Sequence, residues 1–210
     1  MAFIKKVVNK VISDPTVPVV NGLRDDYNFA QQLSVAGDDM MVSSDGSSTT
    51  VGTNIFGYLY FGCSASSSFN PLYPVLKFST GGQIPQGSTI NSAVLTLEVD
   101  GTSGTPNFKI GCQDVDAAVV VASDNNPIDQ SGDWPMTSAF TTCGAVSSGT
   151  NTVVVTTAIQ EVINRAGWDE GFINVFAIDL AGSGGTTNAY WQVDDVSKDD
   201  PSKLEIVWSY

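Results

Sequence analysis

The sequence predicts an all-β domain, a sandwich or barrel of eight or more strands with one short helix, preceded by an N-terminal amphipathic helical arm. Three observations carry this. From Tyr27 onward, β-branched and aromatic residues recur with period two in short runs separated by Gly, Ser, Asn, Asp and Pro. Near residue 160 the period changes to that of a helix. The first dozen residues alternate apolar pairs with lysines.

At 210 residues the chain fits one domain with an arm, residues 1–24 and 25–210, since compact domains run about 100–200 residues. Hydrophobic residues at 42% exclude general disorder. Nine basic against 22 acidic residues give a net charge of −13, which disfavours nucleic acid and anionic membrane as partners. There is no histidine, the side chain most used as a general base near neutral pH. The expectation is therefore a protein that is not an enzyme.

The arm comes first in the chain. On a helix at 100° per residue, Phe3, Ile4, Val7, Val8 and Val11 gather on one side and Lys5, Lys6, Asn9 and Lys10 on the other. Asp14-Pro15-Thr16-Val17-Pro18 stops it, because proline removes backbone donors and favours extended chain. Lysines break every apolar run in MAFIKKVVNKVI, so it does not read as a secretory signal, and no run reaches the roughly 18 residues of a membrane span. Four basic groups and Asp14 lie in the first 24 residues, which leaves five basic and 21 acidic groups, a net of −16, for the body. Arm and body have opposite signs. A helix this short is marginal alone in water and needs a partner surface, a neighbouring protein or, as alternatives, its own body or a membrane. Phe3, Ile4, Lys5, Lys6, Val7, Val8, Lys10 and Val11 are the candidate partner-binding residues.

In the body the clearest strand is Thr89–Val99, with Ala93, Leu95, Leu97 and Val99 on one face and Thr96 and Glu98 on the other. Further strands are expected at Ile55–Phe61, Tyr73–Phe78, Phe108–Gln113, Val119–Ala122, Asn151–Thr156, Phe172–Leu180, Ala189–Val193 and Leu204–Trp208. Thr157 and Gln160 form a capping-box candidate, and Ile159, Val162, Ile163 and Ala166 follow at helical spacing before Gly167, so the helix is expected over 158–166. Gly182-Ser183-Gly184-Gly185 precedes no helix and reads as a hairpin loop. Cys63, Cys112 and Cys143 are odd in number and widely spaced, so they read as reduced core thiols.

Four stretches in order, TNIFGYLYFG, VLKFSTGGQIPQGSTINSAVLTLEV, TTAIQEVINRAGWDEGFINVFAI and DDPSKLEIVWSY, resemble the DNRLRE-type jelly-roll modules of bacterial surface proteins, some polysaccharide-binding modules and phage virion proteins. The likeness spans residues 38–210 and includes the Ile84-Pro85-Gln86-Gly87 turn. Val75-Leu76-Lys77-Phe78 stands where the family carries a basic strand motif. The resemblance implies a jelly-roll sandwich with a core tryptophan at Trp168, and leaves function open because one fold hosts many sites.

Carboxylate pairs at Asp38/Asp39, Asp194/Asp195 and Asp199/Asp200, with Asp114 and Asp116, match no calcium loop and read as solvated side chains. No cofactor is expected; a structural calcium ion is the alternative. Nothing in the sequence places Lys77 beside a serine as a Ser-Lys dyad. Trp168 and Trp208 read as core, whereas Trp134, Tyr190 and Trp191 lie in or beside loops and are the candidate glycan-stacking residues. A small jelly roll with a basic amphipathic arm and no export signal looks like a bacteriophage capsid decoration or cement protein. On that expectation it is assembled in the host cytoplasm, sits on the outer capsid surface, and binds the major capsid protein and neighbouring copies of itself as a trimer. The alternative is a host-adhesion module that binds surface glycan.

Overall fold

The computed structural model describes residues 26–34, 38–43, 49–51, 57–63, 72–118, 135–169, 171–179 and 189–210. The arm, Trp134, the strand expected at Val119–Ala122 and the 182–185 loop lie outside them. In chain order the elements are β1 (Tyr27–Gln32), β2 (Asp39–Ser43), β3 (Thr49–Val51), β4 (Tyr58–Cys63), β5 (Leu72–Ser79), β6 (Thr89–Ser103), β7 (Phe108–Cys112), β8 (Thr141–Cys143), β9 (Gly149–Val154), α1 (Thr156–Ile163), β10 (Phe172–Asp179), β11 (Ala189–Asp194) and β12 (Lys203–Ser209).

They form two antiparallel sheets packed together, an all-β sandwich. The first is organised by the long strand β6. Along one of its edges run β12 and then β11, and along the other runs β9, so that Leu95 has Leu204 on one side and Val153 on the other. β1 continues this sheet beyond β12, and β4 beyond β11. The second sheet runs β3, β2, β5, β10, β7, β8. One register pair, Gly62 with Leu72, joins the sheets. Gly62 has φ of +117°, and a Cβ there would run into the Ala189 carbonyl, so no other residue fits this joint.

The core lies between the sheets. Ala93, Leu95, Leu97 and Val99 are all fully buried, as their alternation predicts. Across the gap they meet an apolar face that includes Leu76, Phe78, Ile110, Ile173 and Val175. Phe108 of β7 bridges the layers, with its ring centroid 5.9 Å from Phe61 of β4 and 4.8 Å from Trp191 of β11. Each such side chain contributes roughly 1.5–3 kcal/mol when fully buried.

The helix departs from expectation at both ends. Val155 is the N-cap residue and no side chain caps it. The expected capping box does not form, because Gln160, together with Thr156, ties the helix to β6 and the residue before it. Thr156 Oγ1 accepts the Ala93 N–H (2.8 Å), while the Gln160 amide accepts the Ile90 N–H (2.7 Å) and donates to the Ser88 carbonyl (2.9 Å). α1 also ends at Ile163, so Ala166 is exposed. The Ile84–Gly87 turn closes this end: Trp168 Nε1 donates to the Ile84 carbonyl (2.9 Å) and the Gly87 N–H to the Ile163 carbonyl (3.2 Å). Trp168 and Trp208 are both buried.

Candidate functional site

Strands β4 and β11 lie side by side and divide their residues by parity. Leu59, Phe61, Trp191 and Val193 point into the core. Tyr58, Tyr60, Tyr190, Gln192 and Asp194 stand half-buried on the outer face. The register sets Tyr60 opposite Gln192 and Tyr58 opposite Asp194. Tyr60 and Tyr190 meet edge to face, with centroids 5.0 Å apart, an arrangement aromatic quadrupoles favour. The Lys198 ammonium sits 4.1 Å from the Tyr58 ring centroid and is hydrogen-bonded to the Tyr58 side chain, which raises its pKa. Gln192 faces Gly101 of β6, where the missing side chain leaves its amide room.

The electrostatics of this face are acidic. Burial raises the Asp194 pKa, and the nearby Asp100 and Glu98 carboxylates add to the effect against the pull of Lys198. Burial, with Tyr190 and Tyr58 beside it, raises that of Tyr60. The face thus presents tyrosine rings, an amide, a carboxylate and an ammonium side by side.

Of the sequence candidates, Tyr190 belongs to this face and Trp191 does not. Trp191 is 2% exposed, stacks edge-on against Phe108, and its Nε1 donates to the Gly144 carbonyl (2.8 Å). Its expected role as a sugar platform is corrected to a core role, because one-residue parity on a strand sends neighbours to opposite faces. Tyr58 and Tyr60 escaped the sequence reading. Their signal was the alternation Tyr58-Leu59-Tyr60-Phe61.

The acidic residues also sort differently from expectation. Asp114 and Asp116 are bound by one arginine, with Arg165 Nη1 2.6 Å from the first and Nε 2.7 Å from the second. Asp38, Asp39 and Asp195 are buried, not solvated. Lys77 lies 3.4 Å from Asp38 and against the Phe172 ring, so its partner is a carboxylate. Among the described residues no group of three or more acidic, cysteine or histidine side chains converges as a metal site. Cys112 and Cys143 are free and buried, and burial pushes the Cys143 thiol up to about 11 and that of Cys112 higher still. Among the described residues no helix is long and apolar enough to cross a membrane.

Among the described residues β8 is the last strand of the second sheet. Phe140 and Val154 are the large apolar side chains most exposed near it, at 48% and 60%, and they border a groove of about 140 Å³ beside β8, β9 and the start of α1. No family model matches this chain, and no curated protein matches it.

Proposed function

We propose that the chain is a structural subunit of a bacteriophage particle, a capsid decoration or cement protein whose sandwich has the jelly-roll connectivity of DNRLRE-type modules. The first 24 residues bind the major capsid protein and the sandwich faces outward, with copies grouped as trimers. The observation that carries this reading is the division of charge and amphipathicity: a basic leader with one apolar stripe is joined to a body of net −16. Such a leader is repelled neither by an acidic shell protein nor by its own body, and its stripe needs an apolar surface to cover it. The placement of the join supports this, since the leader precedes β1, the end strand among the described residues, which is secured by Tyr27 stacking on Trp208 (5.6 Å) and by the Asp26–Asn91 hydrogen bond (2.7 Å). The groove at Phe140 and Val154, lined also by Thr141, Thr156 and Thr157, offers a contact for a neighbouring copy. Added to undecorated heads of its own phage, the purified chain binds to saturation and raises their rupture temperature, because a ligand of the assembled state stabilises it by mass action. Heads that take up no protein contradict the reading.

One observation favours a second reading, a glycan-binding adhesion module: the Tyr60–Tyr190 pair beside Gln192 and Asp194. The surrounding carboxylates favour neutral or amino sugars over uronates or phosphate polymers. On a glycan array Tyr190→Ala weakens binding by about tenfold, equivalent to about 1.4 kcal/mol, and leaves the unfolding midpoint almost unchanged. An array on which the unmodified protein binds nothing removes this reading.

A further inference from the structure

We propose that the outer face of β4 and β11 is a seat for a sugar that carries a free amine, and that the Lys198 side chain is its resident competitor. The inference rests on the adhesion reading and narrows its ligand from sugars in general to protonated amino sugars.

The seat has two halves, set by the strand ladder. In the first, the Lys198 ammonium lies 4.1 Å from the ring centroid of Tyr58, whose register partner is Asp194. Gly57 makes room for it: a Cβ there would stand 2.6 Å from Lys198 Cε, so a side chain at this position pushes the lysine off the ring. In the second, Tyr60 and Tyr190 meet edge to face at 5.0 Å, with Gln192 opposite Tyr60. Tyr58 and Tyr60 are two residues apart on one strand, about 7 Å. A pyranose ring against Tyr60 and Tyr190 therefore reaches Tyr58 and Asp194 with an amine substituent, while its hydroxyls meet the Gln192 amide.

The charges of this face select a cation. Lys198 interacts with Tyr58, Asp194 and Asp100, and Asp194 in turn feels Asp100 and Glu98. One ammonium among three carboxylates leaves the face negative, and the group that settles there is itself an ammonium on an aromatic ring. Such a face attracts a further ammonium and repels a carboxylate or phosphate. A neutral sugar gains only the stacking half, whereas an amino sugar gains both halves. Because Lys198 already holds the charged half, an incoming amine has to displace it. A cation–π contact at an exposed position is worth a factor of roughly two to five in affinity, and that factor is what the lysine withholds.

The test follows the ring signals of Tyr60 and Tyr190 by NMR while glucosamine, N-acetylglucosamine or choline is titrated in, at a pH that keeps the sugar amine charged. The proteins are the unmodified full chain, Lys198→Met, which keeps an apolar stem beside Tyr58 and removes the ammonium, and Asp194→Asn. Glucosamine binds the unmodified protein more tightly than N-acetylglucosamine does, and binds Lys198→Met roughly two- to fivefold more tightly again. Its advantage over the acetylated sugar is lost in Asp194→Asn. Choline, an ammonium without a sugar ring, binds more weakly than glucosamine. If N-acetylglucosamine shifts the two rings while glucosamine gains nothing from Lys198→Met, the resident competitor is overturned and the adhesion reading stands. Weaker binding of both sugars to Lys198→Met overturns it too, because the lysine then serves the ligand as a donor. Choline that matches glucosamine overturns the assignment to a sugar. Tyrosine signals that move with none of the three probes overturn the seat, and the glycan array then decides the adhesion reading by itself.

Discussion

A chain lacking residues 1–20 fails to attach to undecorated heads, while its sandwich unfolds at the same urea midpoint as the full chain. This follows from the proposed role of the leader. Its five apolar side chains, Phe3, Ile4, Val7, Val8 and Val11, would each contribute roughly 1.5–3 kcal/mol if fully covered by the shell protein. Against that stands the cost of ordering a short helix, so partial loss of the stripe already shifts attachment by orders of magnitude. The body keeps its fold because β1 begins at Tyr27 and its ladder with β12 does not involve the removed residues. Replacing Lys5, Lys6 and Lys10 together by glutamine separates the two contributions. That variant attaches more slowly and its residual binding loses its salt dependence, since the charges steer and the stripe holds. Unchanged attachment of the truncated chain refutes the leader's role.

Trp191→Ala unfolds far more easily, by about 3–5 kcal/mol, as expected for a large aromatic removed from a packed core. The indole fills the space beside Phe108 between the two sheets, and its loss leaves the Gly144 carbonyl without its donor. Against a typical total of roughly 5–15 kcal/mol, a change of this size brings the sandwich near its stability limit. Tyr190→Ala on the same strand costs little, because its ring stands on the outer face. Parallel urea titrations of the two variants measure the contrast. Equal midpoints for both would mean that β11 does not present its residues as described.

The contrast between Tyr190 and Trp191 shows how far the sequence was legible. Residues 189–194 read Ala-Tyr-Trp-Gln-Val-Asp, and the parity of Gln192 and Asp194 against Val193 already assigns Trp191 to the core. Two adjacent aromatics near a glycine-rich loop hid that parity. By contrast, β6 was legible because four apolar residues alternate without interruption, and each described strand that was expected is present within a few residues. β1, β2, β3 and β8 were not expected: β1 carries Asn28, Gln31 and Gln32 among its six residues, β2 begins with an aspartate, and β3 and β8 are three residues long, too short for any period to show.

Helix α1 was expected, but its ends were not located. Thr157 and Gln160 carry the spacing of a self-contained cap, and only the nearness of β6, a tertiary fact, diverts Gln160 to Ile90 and Ser88. The same limit hid the buried acids. Asp39 and Asp195 belong to acidic pairs that usually face water, and what buries them is the packing of β2 against a turn whose N–H groups need acceptors. The outer tyrosines became visible as one site when the register placed Tyr60 and Tyr190 on neighbouring strands. Residue spacing alone does not give strand order.

In the proposed role the basic leader fastens an outward-facing sandwich to a phage shell. Electron cryomicroscopy of the native particle at side-chain detail tests it most directly. The predicted result is continuous density for the first 20 residues lying against the major capsid protein, with Phe3, Ile4, Val7, Val8 and Val11 turned toward it and the sandwich projecting outward. Particles that contain no copy of the chain, or copies whose leader makes no contact with the shell, would contradict it.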